Sequence, residues 1–171
     1  MAYDIEAIVA KVSASVKEQE SLRVAPPVSK IPFDGKMTLA LARTLIEAVR
    51  KEAERMGVRS VVAVCDGGGN PVSIDCADGA YYASYDIAVN KAYTSVALQM
   101  PTSRLATLAA PGGSLYGIQH TNGGRIVIFG GGDPLTYRGA IIGGIGVSGG
   151  SAEQDTALSA YGASVFAEIT R

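Results

Sequence analysis

The spacing of apolar residues changes several times along this chain, and each change marks an element. Near the N-terminus Ile5, Ile8, Val9, Val12 and Val16 follow helical spacing, with Asp4, Glu6, Lys11, Lys17 and Glu18 mostly off that stripe. This predicts an amphipathic helix within residues 1–20. Residues 21–37 hold Pro26, Pro27, Pro32 and Gly35, a linker composition. A domain spanning 38–171 is expected to follow. It opens with a helix from the N-cap Thr38, burying Ala42, Leu45, Ile46, Val49, Ala53 and Met56, with Gly57 where a C-cap glycine belongs. The period then shortens. Strands are expected at 60–65 and 71–76, joined by the turn Asp66-Gly67-Gly68-Gly69-Asn70. That hairpin sets Cys65 near Val72 and Cys76 at its far end, so no disulfide is expected.

Helical spacing returns from Tyr82 to Leu98, where Tyr85, Ala88, Val89, Ala92 and Val96 share a face, and again from Ser103 to Ala109. Ser114–Asn122 has no clear period and contains Tyr116 and His120. Long irregular segments in a compact domain are often functional. Strands are expected at 125–129 and 137–147 around a turn at Gly130–Pro134. A closing helix, Ala152–Ile169, gathers Ala157, Ala160, Tyr161, Ser164 and Val165 on one face. Strands interleaved with amphipathic helices make this an α/β domain.

The stretch Gly139–Asp155 passes from strand through a glycine-rich turn to a helix with Ser151 and Gln154 in capping-box spacing. Gly144, Gly146 and Gly149 match the G-x-G-x-x-G spacing of dinucleotide sites. The context fails. A ribose-binding acid is needed about 20 residues further on, and the sequence ends there. Glu153 and Asp155 would also repel a pyrophosphate. The glycines instead suit close packing of a strand against a helix.

Composition narrows the classes. Charged residues are 18% of the chain, against about 25% in typical soluble domains. Together with 21 glycines this points to surface buried between subunits. A net charge of −1 without a basic run gives no footprint for nucleic acid. No apolar run approaches the length of a membrane span. The acids in MAYDIEAIVAKV exclude a signal-peptide pattern. One histidine and two cysteines without C-x-x-C spacing exclude a zinc cage, and reduced thiols suit the cytoplasm.

Several motifs then occur in a familiar order: Asp78-Gly79-Ala80; Ser84, Asp86, Ala88, Lys91-Ala92 and Thr94; Gly130-Gly131-Gly132-Asp133-Pro134; Gly143 to Gly150; Gln154-Asp155. In this the chain resembles the GlcG/HbpS-like family, which includes the C-terminal domain of the PduO adenosyltransferases. The resemblance covers residues 38–171. It implies a three-layer fold with an antiparallel sheet of about five strands between helices. It also implies dimers or multiples of dimers, haem as a cofactor, and an association with diol-degrading microcompartments. Residues 1–20 resemble the encapsulation peptides of microcompartment cargo, with Ile5, Ile8, Val9, Val12 and Val16 as the docking stripe. The expected location is cytoplasmic, inside a bacterial microcompartment.

Haem needs an axial ligand and apolar contact. His120 is the lone histidine, with Tyr116 and Met100 as weaker candidates. The alternative for His120 is a surface or hydrogen-bonded imidazole. Lys91, Asp78 and Arg138 are the candidates for an enzyme, such as an isomerase or lyase of small organic acids, although Lys91, a base or anion anchor in that reading, better suits a salt bridge. No nucleophile elbow or paired-carboxylate pattern supports that class. A non-catalytic assembly protein is the third reading.

Overall fold

The computed structural model describes Phe33–Arg171. The stripe Ile5–Val16 and most of the linker lie outside the described residues. The chain runs α1 (Leu39–Arg55), β1 (Val61–Asp66), β2 (Pro71–Cys76), α2 (Tyr82–Ala97), α3 (Thr102–Ala109), two short 3-10 turns (Ile118–His120 and Asn122–Gly124), β3 (Gly132–Tyr137), β4 (Ala140–Ser148) and α4 (Ala152–Ile169). The strands form a four-stranded sheet, β2-β1-β4-β3, with every neighbouring pair antiparallel. No parallel pair exists among the described residues, so the arrangement a dinucleotide would need is absent.

Helices cover both faces. α1 and α4 pack on the face that presents Val62, Val64, Leu135, Ile145 and Val147. α1 buries Ala42, Leu45, Ile46, Val49 and Ala53, as its periodicity predicts. Thr38 caps it by accepting from the Leu41 amide at 3.2 Å. Phe33 joins this layer ahead of the cap, edge-on to Tyr137 and Phe166 with ring centroids 4.7 and 5.8 Å away.

The other face is unlike the sequence-based expectation. α2 buries Ser84, Lys91, Thr94 and Ser95 alongside Ala88 and Ala92, while Tyr85 is exposed. The cause lies in β4. Gly144 and Gly146 present no side chain to the helix, so α2 settles directly on the strand backbone. A Cβ at Gly146 would run into the Ala88 carbonyl, and one at Gly144 would come within 2.5 Å of Ser95 Oγ.

Two strand assignments change. Residues 125–129 pair with no strand, and the middle of the segment bonds to Thr94 of α2 instead. The Val127 amide donates to Thr94 Oγ1 at 3.0 Å, and that hydroxyl lies 3.3 Å from the Arg125 carbonyl. β3 instead occupies 132–137, including part of the expected turn. The run 137–147 is broken at Arg138-Gly139, whose φ values of 47° and 81° make a two-residue hairpin turn. Among the described residues the sheet has four strands, where the family resemblance implied about five. The first hairpin forms at the expected place, with Cys65 opposite Pro71, Cys76 opposite Val61, and both thiols free. The edge strands β2 and β3 each carry a proline, Pro71 and Pro134. No described helix is long and apolar enough to cross a membrane.

Candidate functional site

The C-terminal end of β4, the turn Gly149-Gly150 and the first turn of α2 meet at one corner. Two adjoining cavities open there, and Tyr81, Gly149 and Gly150 border both. The first, about 270 Å³, has Arg59, Gly79 and Gln154 on its wall. The second, about 290 Å³, is bordered by Ile87, Phe129 and Ala152 and by the buried Ser84, Ser148 and Asp155. Tyr81 (75% exposed) and Phe129 (42% exposed) form an aromatic rim. Tyr82 and Tyr85 continue it over the surface of α2.

A buried ion pair holds this corner together. Lys91 Nζ donates to Asp155 Oδ2 and to the Val147 carbonyl, both at 2.8 Å. Asp155 Oδ1 accepts from the Gly150 amide at 2.9 Å. Lys91 is fully buried and Asp155 nearly so. Phe129 lies over the ammonium, with its ring centroid 4.8 Å from Nζ. Burial holds the Lys91 pKa below the ordinary lysine value despite the attraction of Asp155. Gly131 makes room for the pair, since a Cβ there would fall 2.6 Å from Nζ. The capping box completes the turn: Gln154 Oε1 accepts from the Ser151 amide and Ser151 Oγ from the Gln154 amide. Lys91 was legible as a salt-bridge candidate. Its partner was not, because Asp155 lies 64 positions away in sequence.

The other candidates do not converge on this corner. Asp78 is exposed, and its neighbour Gly79 borders the first cavity. Arg138 sits in the hairpin turn at the opposite end of β4. That is about 25 Å from Ser148 by the rise of a strand. Its guanidinium lies 5.1 Å from the Tyr137 ring centroid, and it borders a separate cavity of about 330 Å³ with Thr170 and Arg171. His120 is exposed in its 3-10 turn, with Nε2 3.5 Å from Gln119 Nε2. Tyr116 is exposed in the same segment, and Met100 is half-buried between α2 and α3. Just beyond His120, Asn122 accepts from the Tyr93 hydroxyl at 3.3 Å. Tyr93 is twelve residues along α2 from Tyr81, so the His120 segment lies about 18 Å along the helix from the two cavities.

No group of three or more His, Cys, Asp or Glu residues among the described residues is placed to hold a metal ion. Cys65 is buried, which pushes its thiol up to about 12, out of the range of a reactive cysteine.

Comparison with known proteins agrees with this architecture. The sequence model for "Haem degrading protein HbpS-like" matches residues 37–164. An uncharacterised 15.0 kDa protein of Citrobacter freundii is 44% identical over 133 residues, covering 78% of this chain and 94% of that protein. The corrinoid adenosyltransferase PduO of Salmonella typhimurium is 33% identical over 90% of this chain, which spans only 46% of that enzyme. Among solved structures, a PduOC–haem complex superimposes with a TM-score of 0.72 at 32% identity, covering 75% of this chain and 94% of the other. With a match over most of its length, and a fold shared with that complex, the chain belongs to the HbpS-like family.

Proposed function

We propose that this protein is a haem-binding accessory protein. The observation that carries the reading is its similarity to the PduOC–haem complex, in fold and at 32% sequence identity over 75% of the chain. The residues present suit such a ligand. His120 offers an exposed imidazole four residues after the exposed Tyr116. With one histidine per chain, a second imidazole on the same iron would come from another copy. Bound haem would supply a redox-active iron, and the part of this chain would be to ligate and shield it. Haem titration of the wild type against His120→Ala tests the assignment. A Soret shift in the wild type that is weakened or displaced in the variant is expected. Identical spectra remove His120 from the site, and no shift in either protein removes haem.

The reading extends to location. The apolar stripe of residues 5–16 and the proline-containing segment after it have the pattern of an encapsulation peptide, and the likeness to PduO is in keeping with that role. A fluorescent protein fused to residues 1–20 is expected to enter microcompartments, and Ile8→Glu with Val12→Glu to abolish entry. A fusion that stays diffuse, with deletion of 1–20 destabilising the domain, assigns the segment to the fold instead.

A further inference from the structure

We propose that the two cavities beside Tyr81 form one site for an amphipathic organic carboxylate. Its carboxylate would sit on Arg59 and its apolar body between Ile87 and Phe129. The site uses none of the residues assigned to haem ligation.

Arg59 is exposed, and among the described residues no carboxylate lies within ion-pair distance of it. Its guanidinium is nonetheless seated. It lies across Gly79, where a Cβ would come within 2.8 Å of Nη1 and 3.3 Å of Cδ. Any side chain at 79 would displace it. On the same wall, Gln154 commits its oxygen to the Ser151 amide, which leaves its NH₂ free to donate to a ligand. An arginine fork and an amide donor on one wall suit a carboxylate.

The adjoining cavity supplies the opposite chemistry. Ile87, Phe129 and Ala152 give it apolar walls. Asp155 is the acid that borders it, and both of its oxygens are engaged, one by Lys91 and one by the Gly150 amide. The Lys91–Asp155 pair is neutral as a unit, so it does not repel an incoming anion. An inorganic anion would use only the Arg59 side, and a hydrocarbon only the Phe129 side. A ligand that fills both has an apolar body ending in a carboxylate. Two sources share that chemistry: a small aryl- or alkyl-carboxylic acid, and the propionate edge of a tetrapyrrole.

Calorimetric titration of the full chain separates them, with four probes: 3-phenylpropanoate, its neutral amide, protoporphyrin IX and its dimethyl ester. At least one acid is expected to bind saturably, and its neutral counterpart about tenfold more weakly. Arg59→Gln should weaken the acid about tenfold and leave the neutral probe unchanged. Ala83→Trp, at an exposed position bordering the apolar cavity, should weaken both, with an unchanged circular dichroism spectrum. Preference for phenylpropanoate assigns a small acid, and preference for protoporphyrin IX assigns a tetrapyrrole propionate. The proposal is overturned if neither acid binds, if acid and neutral probe bind alike, or if Arg59→Gln binds the acid as the wild type does. His120→Ala must keep carboxylate binding. Its loss there would place the carboxylate site on the other segment, whereas loss of the haem spectrum alone bears only on the haem reading.

Discussion

At the scale of single residues, Lys91 shows how much a buried charge depends on its company. Its ammonium has no solvent contact and is held by one carboxylate, one carbonyl and one aromatic face. Removing one partner of such a pair leaves an uncompensated buried charge, at a cost of about 3–5 kcal/mol. Lys91→Met should therefore lower the unfolding free energy measured in urea by an amount in that range. Lys91→Met combined with Asp155→Asn should recover part of it, because asparagine can still accept from the Gly150 amide. Costs that simply add would show that the two residues act separately. Asp133 makes a pH prediction. Burial raises its pKa above the ordinary aspartate value, and the Ser159 hydroxyl, which donates to Asp133 Oδ2 at 2.5 Å, offsets this only in part. With the folded pKa above the unfolded one, the fold favours the protonated acid. The stabilising contribution is complete below the unfolded pKa, near 3.8. It is lost as pH rises through the higher folded value. Asp133→Asn should remove that decline. The test compares unfolding free energies of the two proteins from pH 3 to pH 7, and parallel profiles would reject the assignment.

At the scale of elements, the seat of α2 on β4 depends on glycine. Gly146→Ala should push the helix off the strand at Ala88 and cost about 1–3 kcal/mol by overpacking. The urea midpoint should fall with an unchanged m-value. A neutral substitution would mean that the helix stands further from the sheet than the structure shows. The same contact explains what the sequence could and could not reveal. α1 was legible because it packs on side chains, so its apolar stripe matches its buried face. α2 was legible as a helix but not in its orientation, since against a glycine track the small and polar Ser84, Ser95 and Thr94 go inward and Tyr85 goes out. Residues 125–129 have the β-branched composition of a strand, but the Val127 amide at their centre bonds to a helix hydroxyl rather than to a neighbouring strand. The Arg138-Gly139 turn lacks the asparagine or aspartate that commonly announces a two-residue hairpin. Of the corner at Tyr81, the glycine turn, the capping box and Lys91 could be singled out beforehand. Arg59, Tyr81 and Phe129 could not, because only the fold brings residues so far apart in sequence to one place.

At the scale of the molecule, two helices expose aromatic or small residues side by side. Tyr82 and Tyr85 are exposed at the start of α2, and Ala157, Ala160 and Ser164 form an exposed strip on α4. We propose that copies of the chain associate through these helical surfaces as a dimer or a multiple of dimers. Light scattering at micromolar concentration should give at least twice the chain mass of 17.6 kDa. Tyr82→Glu with Ala160→Glu should lower it. A wild type that scatters as a monomer would reject the assembly.

The prolines of the edge strands bear on the same question from the other side. An exposed strand edge is an open template on which another chain can add, and a proline there withholds a donor from the incoming backbone. Pro71 and Pro134 place such a gap on each of the two outer strands. Growth of one sheet into the next, the route to open-ended fibres, is thus disfavoured at both margins.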